Sequence, residues 1–233
     1  MGRAIAAVAD DTPQVQLGDV VDRGDVLPEQ AAPGSVLVDF STADAFDAAL
    51  RWARERSVPF LSGTTGLNEA QMRALDAASA SIPVLHARNM SLGVAVLRQL
   101  VERASALLGE DFDVEIVEAH HREKRDAPSG TALALVESVR AGRGELSVVS
   151  GREGTKLARG VDEIGVLALR GGSVAGDHDV HFFGPDERLT LRHHAERRDV
   201  FARGAVRAAQ WLVSQPPGRY RMEDVLASRL ESP

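Results

Sequence analysis

Residues Glu118 to Ala132 read E-A-H-H-R-E-K-R-D-A-P-S-G-T-A. The apolar run before them, Val114, Ile116 and Val117, has the character of a buried strand ending at Glu118. The run after them, T-A-L-A-L-V-E-S-V-R from Thr131, has the character of a helix capped by Ser129. On this reading His120, His121 and Lys124 lie on a loop between a strand end and a helix N-terminus. In open α/β proteins that is where ligands bind.

Upstream, strand-like and helix-like segments alternate. Met1 to Ala9 reads as a helix, Gln14 to Leu17 as a strand, and Asp22-Arg-Gly-Asp as a turn. Val36 to Phe40 is an apolar strand, followed by a helix capped by Ser41 or Thr42. That helix carries Phe46, Ala49, Leu50 and Ala53 at helical spacing. Val58 to Leu61 is the next strand, then a helix from Asn68 to Ala80, a strand from Pro83 to His86 and a turn from Arg88 to Ser91. Alternation of this kind predicts right-handed βαβ units and a parallel sheet. A long helix from Leu92 to Leu108 leads into the central motif.

Downstream the pattern changes. Strands are expected at Leu146 to Val149, Gly165 to Leu169, Asp179 to Phe183 and Arg188 to Arg192, with no helix-length segment between the last three. That spacing predicts a mixed or antiparallel sheet, and so a second, α+β unit. A helix returns from Phe201 to Val213, Pro216-Pro-Gly breaks it, and a short helix follows around Glu223 to Ala227.

The chain has 233 residues, enough for one large domain or two of about 100 residues each. Its net charge of -7 makes it a poor general nucleic-acid binder, because neutralising phosphates requires clustered positive charge. The basic cluster Arg122-Glu-Lys-Arg stands out against that background. Without cysteine there is no disulfide framework, thiolate metal site or catalytic thiol. No apolar run has membrane-spanning length and no signal-peptide pattern opens the sequence, so no membrane partner and a cytoplasmic location are expected.

His120, His121 and Lys124 form a cationic group suited to a substrate with carboxylates and to a step that needs a proton donor. A solvated turn is the competing reading. Adjacent strand histidines do not converge on one ion, so no metal is expected. Ser129, Gly130 and Thr131 open a helix, whose free N–H groups and positive dipole end favour an anion. Simple capping accounts for Ser129 equally well. Gly63-Thr64-Thr65-Gly66 and Ala87-Arg88-Asn89-Met90 each follow a strand at the carboxyl edge of the parallel sheet, which favours one ligand shared between them. Asp22 follows an early strand, where it would hold a ribose hydroxyl or simply form a turn with Gly24. The glycine-rich stretch from Arg170 to His178 reads as a strand connection, with Arg170 or Arg152 available as a carboxylate clamp. His193 and His194 read as surface or interface positions.

These residues resemble the 4-hydroxy-tetrahydrodipicolinate reductase (dihydrodipicolinate reductase) family. The resemblance covers Val38-Asp-Phe-Ser, Gly63 to Gly66, Asn89 to Gly93, Glu118 to Ala132, Arg170 to His178, and Phe201 to Arg207. It implies an α/β protein with a Rossmann-like parallel-sheet domain over residues 1–91, completed by 200–233. An α+β domain with a mixed sheet would occupy residues 92–199, for substrate and homotetramer contacts. The implied reaction reduces 4-hydroxy-tetrahydrodipicolinate with NADH or NADPH, in lysine biosynthesis through diaminopimelate. By position, His120 would be the catalytic acid/base and Lys124 the second proton donor. His121 would bind the dicarboxylate, with Ser129, Gly130 and Thr131 holding one of its carboxylates. Gly2, Asp22, Gly63, Thr64, Thr65, Ala87, Arg88, Asn89 and Met90 would meet the cofactor.

Two departures stand out. Family members begin with a strand and a Gly-x-x-Gly-x-x-Gly turn that cradles the pyrophosphate, whereas Met1-Gly2-Arg3 matches only the tail of that motif. The missing first strand would be central, and its loss would expose two strand edges and leave a gap in the core. Weak cofactor binding follows, and the alternative is an N-terminally truncated, impaired homologue that binds dicarboxylate but little cofactor. The second departure is Arg88, which stands where the family has a small residue or proline.

Overall fold

The structure, a computed structural model, describes residues 1–155 and 157–227. The chain divides into two compact units. One comprises residues 1–92 with the C-terminal segment from Asp199, and the other comprises Gly93–Arg198.

The first unit opens with helix α1 (Gly2–Asp10). An irregular segment leads to strand β1 (Leu37–Asp39), helix α2 (Ala43–Glu55), strand β2 (Phe60–Ser62), helix α3 (Glu69–Ser79) and strand β3 (Pro83–His86). Helix α3 is bounded by a capping box in which Asn68 and Gln71 accept each other's backbone N–H. Helix α2 has Thr42 at its N-cap with no side-chain cap bond, and the other candidate cap, Ser41, donates its hydroxyl to Asp39.

The expected strand at Gln14 to Leu17 does not form. Gln14 has a φ of 66°, outside the strand region, and among the described residues no neighbouring strand offers it a ladder. Residues 13–36 stay irregular, with Val20, Val21 and Val26 exposed. Among the described residues, β1 is therefore an edge strand of its sheet.

The second unit contains helix α4 (Leu92–Leu108, its first residue lying in the first unit), strand β4 (Asp113–His120), helix α5 (Gly130–Arg143) and strands β5 (Ser147–Val149), β6 (Glu163–Arg170), β7 (Asp177–Phe183) and β8 (Arg188–His194). These five strands form one mixed sheet in the order β5-β6-β4-β7-β8. Pairing is parallel from β5 to β4 and antiparallel from β4 to β8. Strand β4 runs two residues past Glu118, so His120 is its last residue and not part of the loop. Pairing with β7 as far as Ala119 and with β6 as far as His120 holds it extended.

Alternation along β4 buries Val114, Ile116, Glu118 and His120 on one face. The first two join Leu97 and Val101 of α4, Leu135, Val136 and Val139 of α5, and Ile164, Val166, Val180 and Phe182 of the neighbouring strands. On the opposite face, among the described residues, Leu167, Leu169 and Phe183 are exposed.

The chain then returns to the first unit as helix α6 (Asp199–Leu212), strand β9 (Gly218–Tyr220) and helix α7 (Met222–Ala227). Strand β9 adds to the outer side of β3, giving a four-stranded parallel sheet in the order β1-β2-β3-β9. Phe60 and Val84 pack with Phe46, Leu50 and Leu75 of α2 and α3. Alternation turns Leu61 and Leu85, also fully buried, to the other side, where α6 contacts β2 and β3 and in turn packs on α1.

Candidate active site

The polar end of β4 is organised around Glu118. The two neighbouring strands place Arg170 beside His120 in the β6 register, and His178 opposite Glu118 in the β7 register. All four side chains therefore leave the same face of the sheet. Glu118 is wholly buried. Its Oε1 accepts from Arg170 Nη2 at 2.9 Å and from the Ser129 N–H at 3.0 Å. Its Oε2 accepts from Arg170 Nη1 at 2.8 Å and lies 2.6 Å from His120 Nδ1. Burial pushes the Glu118 carboxyl up. The bonds from Arg170, His120 and Ser129 outweigh it and hold the group below the usual carboxylate range.

Because Glu118 is ionised and acceptor-only, His120 presents Nδ1–H to it. His120 Nε2 is then the ring atom that can exchange a proton, and among the described residues it has no hydrogen-bond partner. It faces Gly176, where a Cβ would stand 3.1 Å away. Burial lowers the His120 pKa, Glu118 opposes that, and the charges of Lys124 and Arg170 lower it again; the net direction is down. His178 packs edge-on against His120 at 5.2 Å and is 2 % exposed. Burial, then the proximity of His120, brings its pKa down to about 4, so it is neutral near pH 7. The Ser129 hydroxyl accepts from the Ala132 N–H at 3.2 Å and lies 3.2 Å from His178 Nε2. Ser129 is thus turned inward, joining the cap of α5 to the cluster.

Gly130 and Thr131 form the first turn of α5, half-buried. Lys124 lies in the loop after β4, its Nζ held by Asp126 at 2.8 and 2.9 Å. Burial raises the Asp126 pKa, but the Lys124 bond and charge pull it below normal. The His121 N–H donates to Val174 O at 2.8 Å, so the glycine-rich crossover between β6 and β7 is tied over the end of β4. The stretch from Arg170 to His178 was expected to be a strand connection with Arg170 available as a clamp; its two ends, in β6 and β7, also bring Arg170 and His178 to the cluster. The carboxylate that Arg170 clamps is Glu118. The expected clamp at Arg152 instead pairs with Glu115 and Glu163.

In the first unit, the parallel pairing of β2 with β3 brings the loops Gly63–Gly66 and Ala87–Met90 off the same sheet edge. Asp39, buried at the end of β1, ties down the first of these loops. Its Oδ2 accepts from Ser62 Oγ and Thr64 Oγ1, both at 2.8 Å, and its Oδ1 accepts from Ser41 Oγ. His86 Nε2 lies 3.0 Å from Thr64 O. The side chains of Thr64 and Met90 are buried, whereas Thr65 and Arg88 are exposed. Asn89 Oδ1 accepts from the Ser91 N–H at 2.8 Å. Gly2 opens α1. Asp22 was expected to follow a strand; none forms there, and it lies in an exposed turn, the other reading, where its Oδ1 accepts from the Arg23 N–H. Among the described residues no group of three His, Asp or Glu side chains is placed to hold a metal ion, and no helix is long and apolar enough to cross a membrane.

Residues 1–90 match the family model for the dihydrodipicolinate reductase N-terminus, and residues 93–226 match that for its C-terminus. The chain belongs to the dihydrodipicolinate reductase family. Among curated relatives, the 4-hydroxy-tetrahydrodipicolinate reductase of Campylobacter lari is 42% identical over 229 residues, covering 97% of this chain and 94% of that protein. The one from Nitratiruptor sp. is 48% identical over 194 residues, covering 82% and 76%. Among solved structures, dipicolinate-bound dihydrodipicolinate reductase from Paenisporosarcina sp. TG-14 superposes with a TM-score of 0.74 at 23% identity, over 96% of this chain and 94% of that one. This last likeness establishes a dihydrodipicolinate reductase fold.

Spacing in the sequence pointed to His120 and Lys124 and offered Arg170 as one of two carboxylate clamps, but it passed over Glu118, His178 and Asp39. The signal for Glu118 was there: residues two apart on a strand share a face, so a strand ending E-x-H puts a carboxylate beside the imidazole. Arg170 and His178 needed the sheet register. Asp39 needed the order of the parallel strands.

Proposed function

We propose that this chain reduces 4-hydroxy-tetrahydrodipicolinate to tetrahydrodipicolinate with NADH or NADPH, the reductive step of lysine biosynthesis through diaminopimelate. Family membership supports the reaction. The observation that carries the site is the Glu118-held imidazole of His120, aligned on one strand end beside Lys124 and the first turn of α5.

The residues present fit a nicotinamide cofactor. The loops at Gly63, Thr64 and Thr65 and at Ala87, Arg88, Asn89 and Met90 share one edge of a parallel sheet, and Asp39 braces the first of them through Thr64, leaving backbone and the exposed Thr65 for a flat ring. Gly2, at the positive end of the α1 dipole, is assigned to phosphate, and Asp22 to the adenosine ribose. NADH or NADPH, when bound, supplies the hydride, and with one proton the 4-hydroxyl leaves as water.

This chain's own residues bind and protonate. Gly130 and Thr131 offer N–H groups and a hydroxyl to one substrate carboxylate, and His121 takes part in holding the dicarboxylate. His120, its Nδ1 fixed by Glu118, handles the proton at Nε2, and Lys124 is the second donor. The reading includes a cytoplasmic location and a homotetramer, with no nucleic-acid or membrane partner. The uncovered face of the mixed sheet, where Val117 pairs with Leu167 and Leu169 stands 56% exposed, supports assembly through that face.

Mixing the purified protein with 4-hydroxy-tetrahydrodipicolinate and reduced nicotinamide, and following cofactor oxidation and product together, tests the reading. Oxidation coupled one-to-one to tetrahydrodipicolinate is expected. Absence of turnover with both NADH and NADPH would overturn it.

A further inference from the structure

Glu118 lies two residues before the proposed acid/base, cannot reach solvent, and makes four contacts with polar groups of the protein. A buried carboxylate is costly unless its lone pairs are filled, and here Arg170 fills two of them in a fork and the Ser129 N–H a third. That arrangement is more than charge neutralisation needs, since Arg170 alone would balance the charge. What the extra bonds achieve is orientation. The carboxylate plane is fixed by the guanidinium and by the cap of α5, so Oε2, which also accepts from Arg170 Nη1, is held against His120 Nδ1.

We propose that Glu118 is a positioning residue for the reduction: locked by Arg170 and Ser129, it fixes the ring orientation and tautomer of His120 so that the proton is handled at Nε2. The proposal rests on the reductase reading for its kinetic consequence and on the geometry alone for its tautomer.

The groups facing His120 are few. Glu118 is on its own strand, Arg170 comes from β6, His178 from β7 and Lys124 from the following loop. His178 is neutral and its Nε2 is engaged by Ser129, so it packs against the His120 ring without competing for Nδ1. Arg170 and Lys124 both disfavour a charged imidazole, which leaves Glu118 as the group on this face that stabilises one. Without it, His120 would be held neutral over a wider range of pH, and Nδ1–H would have no acceptor.

The test uses Glu118→Gln, which preserves size and removes the charge. Imidazole nitrogen NMR, with His120 assigned against His120→Gln, reads the tautomer and the pKa directly. In the unmodified protein neutral His120 is expected as the Nδ1–H tautomer. In Glu118→Gln its pKa is expected to move down, and the limb of the kcat/KM pH profile that tracks His120 should move down with it. At neutral pH kcat should fall by about 10-fold or more, short of the ~10²- to 10⁴-fold that general acid–base catalysis contributes in full. KM should stay within about twofold, because substrate contacts are untouched.

An Nε2–H tautomer in the unmodified protein overturns the proposal without needing any variant, and so covers the case in which Glu118→Gln does not fold. A folded Glu118→Gln with an unmoved His120 pKa overturns it too. If the unmodified protein reduces nothing, the functional reading fails, while the tautomer measurement still decides the positioning role.

Discussion

Replacing Gly204 by alanine tests how the helices of the first unit position the loop assigned to the cofactor. Gly204 lies in α6 with its Cα against the backbone of residue 90. A Cβ there would stand 1.7 Å from Met90 O and 2.7 Å from its carbonyl carbon. Even a weak C–H···O contact needs about 3.3 Å, so helix and loop must separate by more than an ångström. Both sides are backbone, and no rotamer change relieves the clash. Overpacking of this kind costs about 3 kcal/mol, at the upper end of the usual range. Alanine regains about 1 kcal/mol over glycine in a helix, leaving a net loss of ~2 kcal/mol. For a chain of this size that lowers Tm by roughly 4–8 °C. Calorimetry or circular dichroism reads the shift, with Gly18→Ala, which meets nothing within 4 Å, as a control expected to stay within about 0.5 kcal/mol of the parent. NADH titration of Gly204→Ala should show weaker binding, since Asn89 and Met90 move with the loop. A Gly204→Ala protein as stable as the parent, binding NADH equally well, would refute the reasoning.

Other outcomes can be checked alongside it. His120→Ala and Lys124→Ala should each lower kcat by about 10²- to 10⁴-fold while leaving the cofactor Kd unchanged, and losses under tenfold in both would contradict their roles. His121→Ala should act mainly on KM; a pure kcat effect would exchange the roles of the two histidines. His178 has a folded pKa of about 4 against 6.5 for a free histidine, so between those values the unfolded chain binds more protons. Unfolding free energy should therefore fall as pH drops from about 6.5 to about 4, by up to ~3 kcal/mol, and His178→Gln should flatten that slope in urea titrations. A double charge substitution, Leu167→Glu with Leu169→Glu, should break the proposed tetramer into smaller species by light scattering, and an unchanged mass would place the assembly elsewhere.

The legibility of the fold follows the physics of each element. Strands with alternating or continuous burial, such as Phe60–Ser62, Pro83–His86 and the even positions of Asp113–His120, could be read from periodicity, as could the long amphipathic helices. Gly218–Tyr220 could not, because three half-buried residues have no pattern of their own and become a strand only by lying along β3. Gln14 to Leu17 had the composition of a strand without a neighbour to pair with, and composition alone does not make a ladder. In the site, the local pieces were visible because they are close in sequence. Arg170 and His178 reach Glu118 only through the register of two further strands, which a linear reading does not supply.

The route of the chain has a consequence for how the protein is made. Residues 93–198 are contiguous, so every residue of that unit has been made before α6 and β9. The parallel sheet begun at Leu37 has to wait, because α6 and β9 come last in translation. At about 5–20 residues per second, the wait from Leu92 to Tyr220 is several seconds or more. Throughout it the outer edge of β3 and the apolar side chains of Leu61 and Leu85 are without their final covering. The usual N-to-C order is thereby inverted in the supply of residues, since the inserted unit is complete on the chain before the one that surrounds it.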